Sequence, residues 1–210
     1  MGCCHSELIE GKSHCRAQIS VQGCLFRVIE GDLSTFPSTA VVNSTNETLS
    51  LESSESKGVL RRGGMRLRTD CVRHINLHGP LSLGDTVVTA AGELPCTYLI
   101  HVVAPIYVNG RRGEKEGLRK AILKVLETAE GLKCKSVSLP AIGTQPYAYP
   151  KAECAATIVE TVKLYLQAGD SSIQEIAFVS GDKLTVRCFK KALERVGREE
   201  CIDSGAKSSD

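Results

Sequence analysis

The sequence contains no tryptophan, and aromatic residues make up 4% of its 210 positions, so stacking platforms for single-stranded nucleic acid have little to be built from. No apolar run approaches the roughly 18 residues that a membrane-spanning helix requires, and the N-terminal stretch lacks the apolar core of a secretory signal. A dominant charge is missing too. The 26 basic and 24 acidic side chains leave a net charge of +2, which excludes a polycation or polyanion role for the chain as a whole. The 10 cysteines form no C-x-x-C pair and fall inside strand-like and helix-like runs. That spread suits a reducing, intracellular compartment, in cytoplasm or nucleus, and no common zinc site. What is present is 42% hydrophobic residues, enough to bury one core.

Residues 1–23 are polar and read as an N-terminal extension. From Leu25 the texture changes. Short β-branched runs at 25–29 and 39–43, and further runs at 85–91, 98–103, 136–139 and 174–179, read as strands. Between them, apolar residues recur at three- to four-residue steps through Leu118–Leu132, Ala152–Leu166 and Val186–Val196, the period of helices. Strands alternating with helices imply a three-layer α/β/α domain with a central mixed sheet over residues 24–197. Residues 198–210 are rich in Ser and charge and read as a flexible tail. The domain is expected to be a monomer.

In open α/β sheets, ligands bind beyond the carboxyl ends of the strands. Four segments occupy such places: Glu30-Gly31-Asp32-Leu33, Asn43-Ser44-Thr45-Asn46, Ala104-Pro105, and the run from Pro140 to Pro150. The last is a strand-to-helix loop of small residues whose backbone N–H groups can hold a phosphate, or a plain turn with Pro150 opening a helix.

Together, VIEGDLST, AVVNSTNETL and SLPAIGT resemble, in order and spacing, the strand ends of the macro domain, an ADP-ribose-binding module. The stretch HGPLSLGDTVVTAAGELPCTYLIHVVAP is similar to the macro domains of the vertebrate multi-macro ADP-ribosyltransferases. The resemblance implies that Asp32 accepts a hydrogen bond from the adenine amino group and that Leu33 supplies a backbone N–H. It implies that Asn43 braces its loop, Asn46 faces the distal ribose, and Gly143, Thr144, Gln145, Pro146 and Tyr147 wrap the diphosphate. Ser180, with Gly181 and Asp182, would rim the adenine. Each polar residue also has a plainer role open to it, since Asp and Asn favour turns with or without a ligand.

The departures from the family pattern are specific. Where the family has a Gly-rich loop after the second strand, and in hydrolytic members an Asp, this chain has 50–56 with no glycine and with Glu52 and Glu55. Where the family has Ser/Thr-Gly-x-x-Gly, it has Thr144-Gln145-Pro146-Tyr147-Ala148, and Ala104 stands where Gly precedes Pro. Glycine supplies close backbone approach and positive φ, so binding of ADP-ribose or ADP-ribosylated protein is expected to be weak. Returning glycine at Gln145 and Ala148 is expected to tighten binding and lower the melting temperature. An ADP-ribosyl hydrolase and a scaffold protein that has lost its ligand are the alternatives, and no catalytic residue or cofactor is singled out.

Three further features stand apart. Lys57, Arg61, Arg62, Arg66, Arg68 and Arg73 fall in one helical stretch with Asp70 as its only acid, a solvated face or a contact for an acidic partner. Cys71, His74 and His78 have helical spacing but no fourth ligand, so no metal is expected. Met1-Gly2-Cys3-Cys4-His5-Ser6 fits the N-myristoylation pattern at Gly2, with Cys3 and Cys4 placed for palmitoylation, which would bring the chain to a membrane.

Overall fold

The computed structural model describes residues 13–51, 54–169 and 171–206. Seven strands form one mixed sheet: β1 (His14–Val21), β2 (Cys24–Glu30), β3 (Ser38–Thr45), β4 (Thr86–Ala90), β5 (Cys96–Val103), β6 (Ser136–Leu139) and β7 (Glu175–Ser180). Their order across the sheet is β1-β2-β7-β6-β3-β5-β4. The five inner strands run parallel, and β1 and β4 are antiparallel edges. Four helices cover the two faces: α1 (Ser54–His78) on one, and α2 (Glu114–Gly131), α3 (Lys151–Gln167) and α4 (Lys183–Ala206) on the other.

The alternation of inner-strand side chains divides the core in two. Phe26, Val28, Val42, Ile100 and Phe178 pack under α2, α3 and α4, whereas Ile29, Val41, Leu99 and Val179 pack with Leu67 of α1. Parallel strands buried on both faces read as continuous apolar runs, which is why 39–43 and 98–103 were visible as strands.

β1 corrects the reading of residues 1–23 as an extension. Ala17, Ile19 and Val21 turn toward the α4 side while Gln18 and Ser20 turn to solvent, a two-residue period, and a bulge between Cys15 and Ala17 sends Cys15 to the α1 side. Gln22 and Gly23, both at positive φ (50° and 79°), join β1 to β2 in a two-residue hairpin. At the other end, α4 runs past 197 to Ala206, so the tail begins later than expected.

The basic stretch is not one straight helix. Gly64, at φ 68° and ψ −164°, interrupts α1 in a conformation only glycine adopts readily. Next to it, Gly92 in the β4–β5 turn lies against the backbone of Gly63, where a β-carbon would come within 2.5 Å of the Gly63 carbonyl oxygen.

Candidate functional site

β2, β7, β6 and β3 end at the same edge of the sheet, and the loops that follow them enclose two open clefts. One, of about 670 Å³, is lined by Asp32, Leu33, Lys57, Arg61, Gln145 and Ser180. The other, of about 510 Å³, is lined by Asn46, Glu47, Ala104, Ile106, Arg112 and Tyr147. Gln145 and Tyr147 belong to one loop and face different clefts, so that loop is a wall common to both. A further cleft of about 790 Å³ between α2 and α3 takes in none of these residues.

Asp32 is exposed on the first cleft and also opens the 3-10 turn at Leu33–Thr35. Its Oδ1 accepts from the Ser34 N–H at 2.9 Å and from Ser34 Oγ at 2.8 Å. One carboxylate oxygen therefore caps the turn, and the other accepts no hydrogen bond among the described residues. Ser180 is buried at the end of β7, where its Oγ accepts from the Asp182 N–H and its carbonyl from the Gly31 N–H. This ties the ends of β2 and β7 together beneath the cleft.

Asn43 faces neither cleft. It is 1% exposed, accepts from Ser56 Oγ at 2.7 Å through Oδ1, and donates through Nδ2 to His101 Nδ1 at 3.1 Å. Because Nδ1 accepts, the proton of His101 sits on Nε2, which donates to Thr89 Oγ1 at 3.0 Å. Burial holds this imidazole neutral, its pKa lowered to about 4, with His74 adding to the shift. The result is a buried polar chain from the start of α1, through β3 and β5, to β4. Asn43 ties β3 to the start of α1 and to β5, and its partner there, His101, was not singled out from the sequence.

Asn46 takes the turn role open to it in the sequence. Its Oδ1 accepts from the Thr48 N–H, Thr48 Oγ1 and the Ser50 N–H, at 3.1, 3.1 and 2.8 Å, which folds the turn after β3. Its side chain nevertheless lines the second cleft, with Nδ2 the group left to a ligand. In the loop after β6, Thr144 Oγ1 donates to the Ala141 carbonyl at 2.8 Å, and Thr144 lines neither cleft. Gly143 is at φ 80°, and a β-carbon there would lie 3.2 Å from the Pro105 carbonyl oxygen. Pro146 follows a cis peptide bond and is exposed.

Two left-handed residues answer the missing glycines. Ala148 is at φ 54° and Leu49 at φ 55°, so the loops keep backbone shapes that glycine favours without having it. This corrects the expectation at Ala148, because glycine there relieves strain and stabilises the fold. Glu52, like Gly2, Cys3 and Cys4, lies outside the described residues.

The second cleft owes its wall to Glu114, at the start of α2. This buried carboxylate accepts four backbone N–H groups: Val108, Asn109 and Gly110 at 3.1 Å, and Arg112 at 2.6 Å. These bonds, the one from Asn109 foremost, hold its pKa down to about 2. They fold the 106–113 segment so that Ile106 and Val108, 65% and 53% exposed, face the cleft beside Leu83. Cys71 is buried with Sγ 4.0 Å from His101 Nε2, and burial raises its thiol pKa to about 11. The rings of His74 and His78 lie 4.6 Å apart between centroids and are tilted by 41°. Among the described residues no three His, Cys, Asp or Glu side chains are grouped to hold a metal ion, and no helix is long and apolar enough to cross a membrane.

Comparison with known proteins converges on one family. The macro domain family model matches residues 42–158. An O-acetyl-ADP-ribose deacetylase from Citrobacter rodentium is 33% identical over 170 residues, 81% of this chain and 96% of that protein. The protein mono-ADP-ribosyltransferase PARP9 of Mus musculus is 33% identical over 185 residues, 85% of this chain, although the chain spans only 21% of the mouse protein's length. It likewise spans 31% of a related Thermotoga maritima protein. The Oceanobacillus iheyensis macrodomain solved with ADP superposes with a TM-score of 0.81 at 23% identity, covering 89% of this chain and 97% of that one. The mixed sheet, its helical layers and the matched sequence agree, and the chain belongs to the macro domain family.

Proposed function

We propose that the two clefts form one elongated site for ADP-ribose, free or attached to protein, with adenine at the Asp32 end and the distal ribose at the Asn46 end. The observation that carries this reading is the shared wall. The loop at Gly143–Tyr147 stands between the clefts, so a ligand with two bulky ends joined by a narrow linker fits where a compact one does not. A diphosphate is such a linker. The absent glycines and the exposed Gln145 favour weak binding. Calorimetric titration with ADP-ribose and with adenosine is the test. The expected result is saturable heat with ADP-ribose and tighter binding than adenosine shows; no heat with ADP-ribose, or equal affinity for both, overturns the reading.

The 33% identity to an O-acetyl-ADP-ribose deacetylase favours a second reading, ester hydrolysis at the Asn46 end. Glu47 is exposed on that cleft, whereas Glu114 there is held by its backbone donors. In this reading Asn46 Nδ2 orients the distal ribose and Glu47 helps to position water. Release of acetate from O-acetyl-ADP-ribose, lost in Glu47→Gln while ADP-ribose binding persists, would establish it; no release by the parent protein ends it.

A further inference from the structure

The cations of this protein crowd the wrong end of the cleft for the diphosphate of ADP-ribose. Lys57 and Arg61 of α1 line the Asp32 cleft. Directly across the ends of β2 and β7, a neighbouring cleft of about 460 Å³ is lined by Arg16, Glu30, Lys183, Arg187 and Lys190. The two clefts meet where Glu30 runs into Gly31 and where Asp182 runs into Lys183.

The carboxylates nearby are already engaged. Glu30 pairs with Arg16 at 2.7 Å, and Asp182 pairs with Lys151 at 2.8 Å while also accepting from Thr185. Asp32 caps its own turn. Lys190 reaches Glu194 only at 3.9 Å. Among the described residues Lys57, Arg61, Lys183 and Arg187 have no ion-pair partner, and all four are exposed. Uncompensated cations converging on a concave surface concentrate anions there. No aromatic side chain lines either cleft, so what this surface reads is phosphate and not stacked bases.

We infer that Lys183 and Arg187 form a subsite for a further phosphate on the adenosine side of the ligand. The inference rests on the reading that adenine lies at the Asp32 end. The ligand class is an ADP-ribose unit whose adenosine ribose carries more phosphate, as a monoester or as the next unit of an ADP-ribose chain. The phosphate would lie outside the ADP-ribose cleft proper, so plain ADP-ribose does not use these α4 cations.

The test titrates the full chain with ADP-ribose, with ADP-ribose 2′-phosphate and with a two-unit ADP-ribose oligomer, each at low and at physiological salt. At least one ligand carrying the extra phosphate should bind about tenfold tighter than ADP-ribose at low salt, an advantage that shrinks as salt rises. Which one does so identifies the source of the phosphate. The double variant Lys183→Gln and Arg187→Gln, with a melting curve to show that it folds, should erase the advantage and leave the affinity for ADP-ribose unchanged. Lys115→Gln on α2 should keep it. If ADP-ribose binds and neither phosphorylated ligand gains, or the gain survives in the double variant, the subsite is overturned while the site reading stands. If none of the three binds, both fall. If only a phosphorylated ligand binds, and the double variant abolishes it, the subsite is upheld.

Discussion

The two ends of the cleft are built on opposite principles. At the Asp32 end Asp32 gives one oxygen to its own turn, Ser180 is tied into the strand ends beneath, and Lys57 and Arg61 stand without an ion-pair partner among the described residues. At the Tyr147 end the wall is hydrocarbon, with Leu83, Ile106 and Val108 presented by a segment that Glu114 folds from behind. The first end can recognise by charge and hydrogen bonds, and the second by shape. Asp32 and Asn46 thus each help to fold the loop they line a cleft from, whereas the hydrocarbon wall leaves its folding to Glu114 behind it.

Acid separates the supports of that second end with the largest expected effect. His101 lies in β5, the strand that leads into Val103–Ile106, and its folded pKa of about 4 is below its ordinary 6.5. The unfolded chain then binds more protons between these values, so the stability is fully present above pH 6.5 and is lost as pH falls toward 4, by about 3 kcal/mol. Urea unfolding against pH should show this slope, and His101→Gln should flatten it. Glu114, whose pKa is depressed, contributes in a lower window, full above its ordinary 4.5 and lost only as pH approaches 2. Below pH 4 the residual slope, to which Asp182, Glu130 and Glu199 also contribute, should therefore shrink in Glu114→Gln.

Asp32 sharpens the contrast at the other end. Asp32→Ala should weaken ADP-ribose binding by about 1–3 kcal/mol and also lower the melting temperature, because the turn loses its cap. Asp32→Asn keeps an oxygen for the turn but offers an amide to the adenine amine. Affinity should fall with little change in melting, and a variant that binds like the parent would remove Asp32 from the site.

Asn46 tests whether the Asn46 end couples stability to recognition as weakly as its wall implies. Asn46→Ala removes the acceptor for three hydrogen bonds and should cost about 1–2 kcal/mol of stability by chemical denaturation, whereas Asn46→Asp should recover most of it. The smallest effect is expected at Ala148. Relieving a left-handed alanine, Ala148→Gly should raise stability by about 0.5–1 kcal/mol, read as a higher melting temperature.

Strand ends and the residues just beyond them were legible because a parallel strand buried on both faces is an apolar run that stops abruptly at a polar one. Asp32 and Asn46 fall where that rule puts them, whereas Asn43 lies within β3, which runs on to Thr45. What was not legible depends on contacts remote in sequence. Nothing near His101 announces that Asn43 and Thr89 meet its two nitrogens, and nothing local predicts four N–H groups gathering on Glu114. β1 was hard to read because a bulge between Cys15 and Ala17 breaks its alternation, and Ala17 is too small to make the apolar face stand out. The left-handed Ala148 was hidden because alanine seldom adopts such a shape unless the surrounding loop dictates it.

The meeting of Gly92 with Gly63 has a mechanical consequence. Contacts between side chains can yield by rotating about their bonds, but here backbone abuts backbone, and Glu93 N–H bonds the Arg62 carbonyl alongside. The tip of the β4–β5 hairpin and the middle of α1 are thereby locked as one rigid piece. A displacement of the hairpin must carry with it the part of the helix that bears Lys57 and Arg61, so a blow to this distant edge of the sheet is felt at the mouth of the Asp32 cleft.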